Sequence, residues 1–94
     1  MKKTSKHNPR KLERIVKGFA NHRRIEIMRL LADKPELSLE EIAEAFSINY
    51  KTAGEHVRRL LLAGLLLKRN DLHRVRHKLT SRATQILKFL RTLE

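Results

Sequence analysis

Apolar residues in this chain follow two different rhythms, and the change between them divides it. From Pro9 to about Ala20, Leu12, Ile15, Val16 and Phe19 recur three and four residues apart, as on one face of a helix. Asn8-Pro9 suits its start, an amide oxygen for the unpaired backbone N–H groups followed by a residue pre-set for the first turn. Asn21 can cap a second helix, His22 to Asp33, whose Ile25, Ile27, Met28, Leu30 and Leu31 form a stripe wide enough to demand burial of over half its girth. Lys34-Pro35 stops it, because a residue before proline avoids helical geometry. Ser38, with Glu41 three residues on, forms a capping box for a short third helix, Leu39 to Phe46, with Leu39, Ile42, Ala43 and Phe46 on one face. Ser47-Ile48-Asn49 makes a turn, and Asn49 caps a fourth helix, Tyr50 to Ala63, with Ala53, Val57, Leu60 and Leu61 inward. Gly64 then supplies a left-handed end.

Beyond Gly64 the rhythm becomes alternating. Leu65 to Arg69 and Arg74 to Leu79 read as two strands joined by Asn70 to His73, a β-hairpin. Its tip lacks glycine, so a loop wider than the two-residue type is expected. Alternation puts Val75, His77 and Leu79 on one face and Arg74, Arg76 and Lys78 on the other. Thr80 or Ser81 caps a last helix carrying Ile86, Leu87, Phe89, Leu90 and Leu93. The expected fold is mainly α with a small β-hairpin, a winged helix-turn-helix of about five helices and a two-stranded wing. Residues 1–8 form a flexible basic arm and residues 9–94 one domain, with the helix-turn-helix at 39–63, the wing at 65–79 and the C-terminal helix at 81–93. Gly18, inside the first helix, marks a weak spot or a place of close packing.

Charge alters this picture. Lys and Arg number 22 against 10 Asp and Glu, a formal +12 that favours a polyanionic partner. It is also segregated: residues 1–34 and 51–94 each hold 11 basic and 3 acidic side chains, while residues 35–50 hold four Glu and no base. One surface is thus suited to phosphate and another is not. With three Phe, one Tyr and no Trp, the core must be aliphatic. The absence of Cys excludes disulfides and thiolate metal sites. No apolar run approaches the roughly 20 residues of a membrane span and no signal-peptide pattern opens the chain, so no membrane partner and a cytoplasmic location are expected.

A helix fits the major groove of duplex DNA, where every base pair presents a distinct pattern of donors, acceptors and methyls. On the fourth helix the inward set leaves Tyr50, Lys51, Gly54, Glu55 and Arg58 facing out, with Thr52, His56 and Arg59 on the flanks. Lys51 and Arg58 suit guanine or phosphate, Tyr50 and Thr52 thymine methyls or phosphate, and Glu55 a cytosine amino group. Lys68, Arg69, Arg74, Arg76 and Lys78 on the wing suit an adjacent minor groove or backbone. Taken singly, each could be a solvated charged surface; their succession around a tight turn and a hairpin favours DNA.

The segment from Phe19 to Thr80 resembles the ArsR-type repressors and their relatives over about 60 residues. The resemblance rests on the second-helix opening Ala20-Asn21-His22-Arg23-Arg24, the LSLEEIAEAF and INYKTAGEHVRRL helices, and AGLL leading into a basic hairpin that ends in Leu79-Thr80. His22 and Arg23 depart from the usual residues there. The resemblance implies a sequence-specific transcriptional regulator of double-stranded DNA, of repressor type, and places Arg24 near the DNA backbone or in a structural bond. It also implies a homodimer built by the first and last helices, for which Leu12, Ile15, Phe19, Leu87, Leu90 and Leu93 are the candidates. In such a dimer the recognition helices lie about 34–36 Å apart. The family's thiolate motif would fall on Leu37 to Glu41, which has no Cys, and residues 81–93 contain no His, Asp or Glu for its alternative site. No metal or other cofactor is therefore expected. His73 and His77 are too far apart along a strand for simple chelation. The chain has no glycine-rich phosphate loop and no convergent acid–base pair, so no enzyme is expected. Two other classes suit the charge, an RNA-binding winged-helix accessory protein and a protein-interaction module. RNA readers lean on exposed aromatics, of which Tyr50 is the clear candidate.

Overall fold

The computed structural model describes residues 8–94. The arm expected over residues 1–8 lies outside these except for Asn8, which caps the first helix by accepting from the Lys11 amide at 2.9 Å. The elements run α1 (Pro9–Phe19), α2 (His22–Asp33), β1 (Leu37–Ser38), α3 (Leu39–Phe46), α4 (Tyr50–Leu62), β2 (Leu66–Asn70), β3 (Val75–Leu79) and α5 (Ser81–Arg91). All five helices start on a side-chain cap: Asn8, Asn21, Ser38, Asn49 and Thr80. Each such cap is worth about 1 kcal/mol. Ser38 and Glu41 complete the reciprocal capping box, at 3.2 and 2.8 Å.

Helix α4 stops at Leu62, one residue before the sequence-based end. Gly64, at φ 74°, closes it: its N–H donates to the Leu61 carbonyl at 3.0 Å, and the Leu65 N–H donates to the Leu60 carbonyl at 2.9 Å. This is a Schellman ending, with Leu60 and Leu65 both buried beneath it. Helix α3 ends the same way on Ser47, at φ 52°, a conformation that costs a residue with a Cβ where glycine would cost none.

The sheet has three strands, where two were expected. β1 pairs antiparallel with β3, giving the order β1-β3-β2, with Leu37 opposite His77 and Ser38 opposite Arg76. Two residues are too short to display an alternating pattern, and Ser38 is at once a strand residue and the cap of α3. The hairpin tip also differs from expectation. Asp71 and Arg74 exchange backbone hydrogen bonds at 2.7 and 3.3 Å, leaving a two-residue loop of Leu72 and His73. Neither has positive φ, so the turn belongs to the class open to ordinary residues. The Asp71 carboxylate holds it by accepting from the Leu72 N–H at 2.7 Å.

Ile27, Met28 and Leu31 of α2, Ile42 of α3, Val57 and Leu60 of α4, and Leu65 and Leu66 form the core, with Phe19, Phe46 and Leu79 packed around it. It is aliphatic at its centre, as the shortage of aromatics requires. Helix α1 lies across α4, and Gly18 is where they touch: a Cβ there would stand 2.5 Å from that of Ala63. Of the two readings of Gly18, close packing is the one realised.

Candidate nucleic-acid interface

Ala53, Val57 and Leu60 anchor α4 in the core, and their burial rotates the polar side of the helix outward. Tyr50, Lys51, Thr52, Glu55, Arg58 and Arg59 are exposed, while His56 is half-buried. Among the described residues, Lys51, Arg58 and Arg59 take part in no ion pair. Asn49 holds the first turn by accepting from the Lys51 N–H at 2.7 Å, so the cationic face starts on a fixed backbone. Gly54 has only Leu39 near the position of a Cβ, at an ordinary 3.5 Å, so packing within the chain does not require glycine there.

The wing cations are arranged otherwise. In β2 and β3, Arg69 stands directly opposite Arg76, a like-charge pair that would weaken the hairpin if left alone. Two acids and a carbonyl resolve it. Arg69 pairs with the Glu36 carboxylate, while Arg76 donates to the Glu36 carbonyl at 3.0 Å and to Asp71 at 3.1 Å. Glu36 itself sits at φ 67°, a strained conformation held by both arginines. The Asp71 carboxyl is held below the usual carboxylate range by the Leu72 N–H and then by Arg76. Arg74 belongs to the turn rather than to β3, so the expected shared face of Arg74, Arg76 and Lys78 holds only for the last two. The Arg74 guanidinium instead comes within 3.8 Å of Glu41. Lys68 and Lys78 enter no ion pair among the described residues.

Between the wing and the starts of α3 and α4 runs a groove of about 300 Å³, lined by Leu39, Tyr50, Lys68, His73, Arg74 and His77 among others. His77 is its buried floor, and its Nδ1–H donates to the Leu37 carbonyl at 3.1 Å, tying β3 to β1. Burial, opposed by that bond and reinforced by Lys68, pushes its pKa down from the ordinary 6.5. His77 is thus a structural residue, while His73 is exposed. Among the described residues no group of three or more His, Asp or Glu is placed to hold a metal ion.

On the opposite side of the fourth helix's root, α2 contributes Arg24. Its Nη1 lies 3.3 Å from the Nδ1 of His56 on α4, and its Nη2 donates to the Lys17 carbonyl of α1 at 3.5 Å. Its Nε is buried without a partner. Of the two roles the sequence left open for Arg24, a structural bond is formed within the chain. Contacts of this kind, 32 residues apart, leave no trace in spacing or composition.

A second, apolar groove of about 290 Å³ runs between α1 and α5, lined by Leu12, Ile15, Val16, Phe19, Ile86 and Phe89 beside Arg82 and Gln85. Three of the six candidate dimer residues, Leu12, Ile15 and Phe19, lie in it. Leu87 does not: it turns to α2, beside Arg29, Ala32 and Asp33, and packs against the core. Leu90 is half-buried outside the groove, and Leu93 is exposed past the end of α5. Val16 and Phe89, 50% and 59% exposed, are the residues the sequence reading passed over. Helical spacing alone cannot tell which side of α5 faces its own core. No helix among the described residues is long and apolar enough to cross a membrane.

No curated protein matches the chain by sequence. Solved structures do. The homodimeric winged helix-turn-helix DNA-binding domain (fragment 1–100) of Mb0332 from Mycobacterium bovis, a possible ArsR-family transcriptional regulator, is 26% identical with a TM-score of 0.83, over 99% of this chain and 89% of that one. HlyU from Vibrio cholerae is 26% identical with a TM-score of 0.79, over 95% of this chain and 97% of its own. The transcriptional repressor BigR from Xylella fastidiosa, 20% identical with a TM-score of 0.74 over 89% and 86% of the two chains, shares the fold. The helix-turn-helix domain family matches residues 19–69, more than half of the 94, from the end of α1 into β2. With the three-stranded wing completed beyond that segment, the chain belongs to the helix-turn-helix domain family, in the winged form of the ArsR-type transcriptional regulators.

Proposed function

We propose that this protein is a homodimeric, cytoplasmic transcriptional repressor that reads double-stranded DNA by sequence and has no catalytic role. Helix α4 enters the major groove, and the wing lies on the adjacent backbone or minor groove. The observation that supports this most is the exposed side of α4, where Lys51, Arg58 and Arg59 stand without acidic partners among the described residues on a helix whose other side is locked into the core. The apolar α1–α5 groove supports the dimer: Leu12, Val16 and Phe89 leave it open to a second copy. Homodimerisation of the Mb0332 domain, with the same fold, points the same way.

Selection of duplexes from a random pool tests the reading. It expects a site with twofold symmetry whose half-sites lie about one helical turn apart. Single strands and structured RNA should compete poorly with it. Preferential competition by structured RNA would replace DNA with RNA as the ligand. In sedimentation the wild type should be a dimer at micromolar concentration, and Val16→Glu with Phe89→Glu a folded monomer. A monomeric wild type ends the dimer assignment.

A further inference from the structure

Arginine can only donate hydrogen bonds, so whatever stands 3.3 Å from Arg24 Nη1 must accept. That partner is Nδ1 of His56, which must then carry its lone pair, leaving the ring proton on Nε2. The contact joins the first turn of α2 to the second turn of α4, and the other terminal nitrogen of the same guanidinium, Nη2, donates to the Lys17 carbonyl. Protonating the ring would put an N–H against a guanidinium N–H. Around His56, α2 presents Arg23, Arg24 and His22 and α4 presents Glu55, with Arg59 close to Arg24; only Glu55 favours the imidazolium. Burial comes first in holding the His56 pKa below 6.5, followed by those cations. His56 is half-buried rather than enclosed, and Nε2 lies on the far side of the ring from the Arg24 contact. His56 lies one turn after the exposed Thr52, on the helix taken above to read DNA.

We propose that Arg24 is a positioning residue for sequence reading: it fixes His56 as the neutral Nε2–H tautomer, so that α4 offers a defined hydrogen-bond donor to a base-edge acceptor in the groove. This rests on the assignment of α4 as the recognition helix. A neutral donor adds discrimination without the attraction to any phosphate that a further cation would bring. The acceptors it suits are guanine O6 and N7, adenine N7 and thymine O4. An unlocked imidazole, able to exchange tautomers or ionise, would offer an acceptor or a charge at the same place and blur that choice.

The tautomer can be read in the free protein, independently of DNA, by long-range proton–nitrogen correlation of the imidazoles. Wild-type His56 should show protonated Nε2 and bare Nδ1, and should take up its second proton at lower pH than an ordinary imidazole. Arg24→Met should give a tautomer mixture, and should lower the ratio of specific to random duplex affinity by about five- to tenfold, the size of one hydrogen bond. That ratio cancels the lost positive charge. His56→Phe should lower it equally, and His56→Gln, whose amide retains a donor, should restore most of it. Protonated Nδ1 or a mixture in the wild type overturns the proposal. So does an Arg24→Met protein that melts earlier with tautomer and ratio unmoved, which would make the contact structural only. If the locked tautomer is seen but the wild type prefers no duplex sequence, the DNA reading falls and the donor's role falls with it.

Discussion

Helix α4 carries three Lys and Arg and the wing five, and the fold treats the two sets differently. On α4, Lys51, Arg58 and Arg59 face out and take part in no ion pair among the described residues. On the wing, Arg69, Arg74 and Arg76 are each within an ion pair, to Glu36, Glu41 and Asp71. The difference follows from what each cation stands next to. A helix already anchored by Ala53, Val57 and Leu60 needs nothing from its polar side. A short hairpin with Arg69 opposite Arg76 has no such surplus, and its acids offset a repulsion that would open it. Exposed ion pairs of this kind are individually weak, so the wing remains able to exchange an acid for a phosphate, at a cost the helix does not bear. Counting basic residues therefore overstates what the wing offers DNA.

The largest test of this contrast removes the helix cations. Lys51→Ala and Arg58→Ala should each weaken specific binding by about 1–3 kcal/mol where they meet a base, with unchanged circular dichroism. The double variant should flatten the slope of log affinity against log salt by about two units. Unaltered affinity in both single variants would remove α4 from the interface.

The wing should give less. Replacing Arg74, Arg76 and Lys78 together should flatten the salt slope by about one unit rather than three, because Lys78 alone of the three enters no ion pair among the described residues. A loss of about three units would mean that the pairs open on binding and the contrast is a property of the unbound protein only.

The wing root adds a pH dependence to stability. Folded His77 titrates below 6.5, so the unfolded chain takes up the proton first as pH falls. Stability from this group is therefore fully present above about pH 6.5 and is lost as pH falls through the lowered folded value. Melting temperature followed from pH 8 to 5 should drop below about 6.5, and His77→Asn, which retains a donor for Leu37, should flatten that drop. His56, displaced in the same direction, supplies the remainder.

The smallest effect is expected at Gly54. Alanine there meets only an ordinary contact with Leu39 and should stabilise α4 by about 0.5–1 kcal/mol. If the backbone of α4 approaches the groove closely, the same methyl should weaken DNA binding, and unchanged affinity would place that part of the helix away from the bases.

Much of this was legible in the chain itself, because caps and helical faces are local. Asn8, Asn21, Ser38 with Glu41, and Asn49 each bond within three residues, and all five helices could be placed from such signals and from apolar spacing. The aliphatic core follows from composition, and Gly64 from the need for a left-handed residue after α4. Helical spacing of the inward set likewise pointed to the polar side of α4. What the chain alone could not decide involves partners far apart in sequence. The Arg69–Glu36 pair spans 33 residues and the Arg24–His56 contact 32, and strand β1 exists only because β3 returns alongside it. The same holds for α5, where period 3.6 displays Leu87 and Phe89 alike as apolar, and only packing against α2 half-buries the first and leaves the second in the open groove. Sequence fixes what a residue can offer its near neighbours. Which cation stands unpaired, which leucine faces outward and which nitrogen of a histidine holds its proton depend on contacts that only the closed fold brings together.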